Sequence, residues 1–309
     1  MFVGGSERSG TTLLRNMLTA NPTLALPNES PFIYRTYRSL VQRGESDDLD
    51  AAWRAIRETD RFRQWELPVR EVERLLQRHP PRTYSDLVRT LFAAYARWRG
   101  KERSGDKTTG NALWFTWLAE RFPTSRFVHV VRDPREVCMS RAVQIFNTGG
   151  LPGAARHWRR HVAAARAAAT VLGDRLLEVR YENLVAEPRT QLERICAFLG
   201  IPFDVAMLDY GASPEVIPQH RFDVHPREPL REDLRPWRTE LSRDDVSVIE
   251  FVASRLMDEL GYRREVRRLT PGAAAMLARE WLERRQERWL ARRAPALGKR
   301  LQRLSPGGR

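Results

Sequence analysis

The chain has 309 residues, 42% of them hydrophobic, enough for one large α/β domain or two small ones around a sizeable core. Its formal net charge is +14, yet only three of its 53 basic residues are lysines (Lys101, Lys107, Lys299), and the arginines are spread over nearly every segment. That pattern argues against a nucleic-acid-binding protein and suits long-range attraction of small anions. A secretory leader and a membrane-spanning stretch find no support in the sequence. Cys138 and Cys196 sit in apolar helical contexts without metal-ligand spacing, so the expectation is a cytoplasmic protein with two buried thiols.

Phe2-Val3, the glycine pair Gly4-Gly5 and the apolar-periodic stretch from Thr11 to Leu18 read as strand, glycine turn and helix. Leu24 to Leu26 is a second short strand, and Pro31 to Arg43 a helix with proline in its first turn. From Asp48 to Gly100 the apolar residues, among them Trp53, Ile56, Trp65, Leu87, Leu91 and Tyr95, recur at helical steps, which makes them core or cleft wall. After a turn at Asp106-Lys107 come a helix from Asn111 to Arg121 and a buried strand from Phe127 to Val131, and Arg132-Asp133-Pro134 opens the next helix. A helix from Gly153 to Leu172, a strand from Leu176 to Val179 and a helix from Pro188 to Leu199 closed by Gly200 follow. This alternation predicts an α/β fold of three layers (αβα) with a central, mainly parallel sheet.

Residues 211–238, rich in proline, histidine and charge, read as a long functional loop. Ser242 or Asp244 caps a helix from Asp245 to Leu260. Residues 1–265 are taken as the main domain and 266–309 as a basic amphipathic helical extension. That extension is expected to pack on its own domain, with contact through 271–303 to a membrane surface or a partner as the alternative.

The segment from Gly5 to Thr12 has the two-glycine spacing of a phosphate loop, in which backbone N–H groups and a helix N-terminus cradle an anion. A nucleotide triphosphatase needs lysine where Thr11 stands, to reach the terminal phosphates. Arg132 occupies the strand end where a metal-binding aspartate would be expected, and a cation there suits an anion and repels a metal. The loop is therefore built for a phosphate that requires no divalent metal, which disfavours kinases and GTPases.

On these residues the chain resembles the PAPS-dependent sulfotransferases, which use 3'-phosphoadenylyl sulfate, and most of all the tyrosylprotein branch and its bacterial relatives. The resemblance rests on Phe2 to Arg15, Asp106-Lys107, Val131 to Ser140, and Val179 to Val185 followed by Pro188 and a helix ending Phe198-Leu199-Gly200. It implies a P-loop NTPase-like sulfotransferase fold, PAPS as cosubstrate, no required metal, and a hydroxyl-bearing acceptor as partner. It further implies that Arg8, Ser9, Gly10, Thr11, Thr12 and Leu13 contact the 5'-phosphosulfate, that Arg132 and Ser140 bind the 3'-phosphate, and that Tyr181 contacts the nucleotide. Glu29 falls where the tyrosylprotein branch has its catalytic glutamate, Lys107 matches the lysine that stabilises the transition state in the family, and Arg8 matches the basic position that the family uses near the bridging oxygen.

Two departures stand out: Gln144 replaces a family arginine, for which Arg141 or Arg135 would substitute, and only Arg235 and Arg238 beside Trp237 offer the late basic residue. The plain alternatives are a helix-capping role for Glu29, with Asn28 and Ser30 as rival caps, and a surface position for Lys107. His220 and His225 are expected to be solvated loop residues. The acceptor expected is a small metabolite, glycan or lipid precursor in a bacterial-type cell, ahead of protein tyrosine. The competing functions are a metal-dependent P-loop kinase and a nucleotide-binding protein without catalysis.

Overall fold

Four short strands are laid side by side in parallel: β1 (Phe2–Gly5), β4 (Asp106–Lys107), β5 (Phe127–Val131) and β6 (Leu176–Arg180), in the order β4-β1-β5-β6. The structure, a computed structural model, describes residues 1–142, 149–212 and 237–286. Phe2 pairs with Phe127 and Val3 with Val128, so equivalent positions of β1 and β5 share a face. Phe2 and Phe127 stack at 5.6 Å on one face, within a core that also holds Phe115, Ala165 and Ala168. Val3, Val128 and Val130 point the other way, into a second core with Leu14, Leu18 and Leu192. Burial on both faces explains why Phe127–Val131 is an unbroken apolar run apart from His129.

The helices supply those two faces. On the valine side lie α1 (Thr11–Thr19), α10 (Tyr181–Ala186) and α11 (Pro188–Leu199). On the phenylalanine side lie α2 (Phe32–Arg43), α3 (Leu49–Arg57), α4 (Asp60–Arg63), α5 (Val69–Arg78), α6 (Tyr84–Trp98), α7 (Phe115–Arg121) and the later part of α9 (Gly150–Leu172). This is the expected α/β architecture with a central parallel sheet. Trp53, Ile56, Trp65, Leu87, Leu91 and Tyr95 are all buried, the core role that their spacing predicts.

Several local readings change. Asp106-Lys107, expected as a turn, is the edge strand β4, paired as Phe2↔Asp106 and Val3↔Lys107. A second pair, β2 (Leu24–Ala25) with β3 (Arg103–Ser104), forms a separate two-stranded sheet. β2 is the short strand expected at Leu24 to Leu26, whereas β3 and β4, two residues each, show no alternation by which periodicity could reveal them. α9 starts at Gly150 ahead of the expected Gly153, with Pro152 in its first turn, where a missing N–H costs nothing. Of the two proposed caps for α13 (Arg243–Glu259), Ser242 is the one used: its hydroxyl accepts from the Asp245 N–H, and the Asp245 carboxylate accepts from the Ser242 N–H.

The described residues fall into two compact units, the first drawn from Met1–Arg132 and Arg160–Leu234 and the second from Asp133–Arg159 and Arg235–Arg309. The second contains α8 (Pro134–Ala142), the start of α9, α12 (Trp237–Glu240), α13 and a helical run over 271–286. Its centre is a buried ionic network in which Arg135 bonds Asp133 at 2.6 Å and Glu250 at 2.8 Å and lies 3.8 Å from the Trp237 ring centre. Ala273 is buried against α8, α9 and α13, so the described part of the extension packs within this unit. Both cysteines are buried, and burial raises the thiol pKa of each. No helix among the described residues is long and apolar enough to cross a membrane.

Candidate functional site

In a parallel sheet the carboxyl ends of all strands open on one edge, and ligands gather there. Each strand of the main sheet delivers a residue singled out from the sequence to that edge. The glycine loop follows β1, Lys107 ends β4, Arg132 follows β5 and Tyr181 follows β6.

The loop is shaped for an anion. Arg8 and Gly10 both have positive φ, 68° and 90°, a conformation that costs a non-glycine residue about 1 kcal/mol. Gly10 is the N-cap of α1 and has no side chain with which to bond the first-turn N–H groups, and no acidic residue lies in that turn. The partial positive charge of the helix start is therefore directed at whatever enters the loop. A methyl group at Gly10 would sit 2.2 Å from Cδ2 of Tyr181, so only glycine allows this close approach. Arg132, half-buried, stacks on the Tyr181 ring with its guanidinium carbon 4.2 Å from the centroid, and its Nη1 donates to the Arg8 carbonyl at 3.4 Å.

The second half of the site centres on Glu29. Its Oε1 accepts from Lys107 Nζ at 3.0 Å, from Thr109 Oγ1 at 2.8 Å and from the Thr109 N–H at 3.3 Å. Lys107 is wholly buried and Glu29 is 24% exposed at its side chain, so the pair is enclosed at the lysine and open at the carboxylate. Burial alone would raise the Glu29 pKa, but the Lys107 charge and the bonds from Thr109 and Lys107 outweigh it and hold the carboxyl at about 2. Next to it Asp106 is pushed up to about 6 by burial, against the bonds from Asn111, Ser30 and Thr108 and with the Glu29 charge adding to the rise. The Thr11 and Thr109 hydroxyl oxygens are 3.4 Å apart, which joins the glycine-loop helix to the carboxylate site.

The helix-capping reading of Glu29 does not hold: α2 is capped by Pro31 without a side-chain bond, and the carboxylate is spent on Lys107 and Thr109. Asn28 and Ser30 do not cap it by side chain either, since Asn28 Nδ2 donates to the Gln64 carbonyl and Ser30 Oγ to the Asn28 carbonyl. Lys107 is likewise no surface lysine. Ser9 and Thr11 are buried in the loop, and Thr12 and Leu13 are half-buried in the first turn of α1. Ser140 and Arg141 lie on α8 in the second unit, both half-buried. Arg135 is committed to Asp133 and Glu250, and Arg238 to an exposed ion pair with Glu265 at 3.2 Å. Gln144, His220, His225 and Arg235 lie outside the described residues. Thr109 went unnoticed in the sequence, although its place two residues after Lys107 is a usable signal.

Comparison with known proteins places the chain among sulfotransferases. Residues 1–205 fit the model of the family described as "Sulfotransferase family". Protein-tyrosine sulfotransferase A of Caenorhabditis elegans is 25% identical over 273 residues, which cover 85% of this chain and 67% of that protein. Carbohydrate sulfotransferase 7 of Rattus norvegicus is 32% identical over 130 residues, 38% of this chain and 25% of the relative. The chain spans 51% of the protein-tyrosine sulfotransferase of Drosophila melanogaster and 88% of the Caenorhabditis briggsae protein described as "Putative protein-tyrosine sulfotransferase". The solved sulfotransferase domain of the Synechococcus PCC 7002 olefin synthase shares the fold, with a TM-score of 0.62 at 22% identity over 85% of this chain and 94% of that one.

Proposed function

Since the chain belongs to the sulfotransferase family, we propose that it transfers a sulfuryl group from PAPS to a hydroxyl group of its acceptor. The observation that carries this reading is the meeting of an uncapped glycine-loop helix, a buried lysine–glutamate pair and an arginine-on-tyrosine stack at the ends of four parallel strands. The residues fit the donor: the Gly10 cradle admits no side chain, and the α1 start and Arg132 offer positive charge in different places.

In this reading Arg8, Ser9, Gly10, Thr11, Thr12 and Leu13 hold the 5'-phosphosulfate, Arg132 holds the 3'-phosphate, and Tyr181 lies against the nucleotide. The donor supplies an activated sulfuryl group with a phosphate oxygen as leaving atom. The acceptor hydroxyl gives its proton to Glu29 as its oxygen bonds to sulfur, and the electron pair of the broken S–O bond stays on adenosine 3',5'-bisphosphate. Lys107 and Arg8 stabilise the charge that gathers on that bridging oxygen. A carboxylate held at about 2 is ionised but weakly basic. Negative charge from the donor draws Lys107 away from Glu29, and the base strengthens as the site fills.

Thr11 in place of the phosphate-loop lysine and Arg132 in place of an acidic metal ligand support a reaction that needs no divalent cation. The acceptor we favour is a small metabolite, glycan or lipid precursor met in the cytoplasm, and residues 1–265 carry the transferase. The test is transfer of label from sulfur-35 PAPS to a panel of phenols, sugars and lipid alcohols, with and without EDTA. Labelling of at least one class, unchanged by EDTA, is expected. No labelling with PAPS, together with magnesium-dependent phosphorylation from ATP, would show the kinase reading to be right.

A further inference from the structure

We infer that Arg15 is a positioning residue for the turn that bears Glu29, tying the helix after the glycine loop to the backbone just ahead of the carboxylate; this rests on the reading of Glu29 as the base. Residues 26–30 belong to no helix or strand, so their carbonyls have no ladder to bond and must find partners elsewhere. Arg15, on α1 and wholly buried, donates from Nη2 to the Leu26 carbonyl at 2.7 Å and from Nε to the Pro27 carbonyl at 3.3 Å. Its Nη1 donates to Asn16 Oδ1 at 3.2 Å. From the opposite core, Trp65 Nε1 donates to the Asn28 carbonyl at 2.9 Å. Three successive carbonyls ahead of Glu29 are thus each held by a buried side chain. On the other side the Ser30 N–H donates to Thr108 Oγ1 at 2.7 Å, and that hydroxyl donates to Asp106 Oδ1 at 3.0 Å.

Burying a guanidinium is costly unless its donors are satisfied, and arginine alone offers a rigid fork able to reach two carbonyls at once. Lysine would reach one. The consequence is mechanical: Arg15 is five residues beyond Gly10, so the helix that presents its N-terminus to the donor also sets the height of the base. Misplacing Glu29 by a fraction of an ångström would break its contacts with Lys107 and Thr109 while leaving the anion loop intact.

The test uses the full chain with Arg15→Met, Arg15→Lys and Trp65→Phe, and reads the carboxyl carbon of Glu29 by NMR in carbon-13 glutamate-labelled protein, with Glu29→Gln for assignment. Among the described residues, Lys107 and Asp106 on β4 and Tyr34 on α2 are titratable groups within electrostatic reach of that carboxyl. The wild-type resonance is expected to stay flat above about pH 4, and Arg15→Met to move its titration up to the ordinary glutamate value of 4.5, with Arg15→Lys between. Affinity for adenosine 3',5'-bisphosphate should stay within about threefold in all variants. A flat Glu29 resonance in Arg15→Met, or a loss of nucleotide affinity with no change at Glu29, would overturn the assignment. Should Arg15→Met not fold, Trp65→Phe must shift the same resonance upward by a smaller amount, and no shift would overturn it equally. Because the resonance needs neither donor nor acceptor, an absence of transfer in the wild type would defeat the function alone.

Discussion

At Glu29 the cost of burying a carboxylate is outweighed by one buried cation and two donors from Thr109, and the balance leaves the group ionised at any physiological pH. Removing the charge but not the shape, as in Glu29→Gln, should cut turnover by about 10²–10⁴, the usual share of a general base. Calorimetry should find adenosine 3',5'-bisphosphate binding unchanged, and an equal loss of both would remove Glu29 from the proton transfer. The pair also makes stability depend on pH. An acid with a lowered folded pKa binds fewer protons when folded, so the stability Glu29 confers is complete above 4.5 and drains away as pH falls toward 2. Asp106 acts oppositely: its cost builds as pH rises from 3.8 through about 6 and is full above that. Melting temperatures measured from about pH 5 down to about pH 3 should therefore fall less steeply in Glu29→Gln than in the wild type. Identical slopes would mean that Glu29 is not held below its ordinary range.

The strand, glycine loop and helix formed by β1 and α1 work as one element, because the loop has to bring Gly10 against Tyr181 without a side chain between them. Gly10→Ala adds both a ring clash and a disfavoured φ, and should weaken adenosine 3',5'-bisphosphate binding by more than about tenfold in a titration. Binding within a factor of about two would mean the loop does not hold the nucleotide. α6 offers the contrasting case. Thr83 and Asp86 form a reciprocal cap at its start, far from the strand ends in sequence, so Thr83→Ala should lower unfolding free energy by about 1 kcal/mol while nucleotide affinity stays the same. Elements of this kind were legible in the sequence where one physical signal dominated: the five buried residues of β5, the helical spacing of Trp53, Trp65 and Leu91, the glycine after Leu199. β3 and β4 were not, since two residues carry no period, and β4 gains its strand character only from the neighbour it pairs with.

For the molecule as a whole, Glu29 and Lys107 lie 78 residues apart in the chain and meet only in the folded structure, while the order β4-β1-β5-β6 brings Lys107, the glycine loop, Arg132 and Tyr181 to one edge. Glu29 and Lys107 were reached through resemblance to a family, and geometry then joined them. The bonds from Arg15 and Trp65 to the carbonyls ahead of Glu29 could not be foreseen, because a backbone carbonyl leaves no mark in a sequence and Trp65 reads only as core. On the proposed function, the ligand carries negative charge at two points with an adenosine between them and binds without magnesium. Calorimetric titration of adenosine 3',5'-bisphosphate in the presence of EDTA tests this most directly. The wild type should bind one equivalent, and Arg132→Ala should weaken that binding by about tenfold or more, as expected for a lost charge-assisted phosphate contact. A flat titration for the wild type, with heat released only by ATP and magnesium, would contradict it.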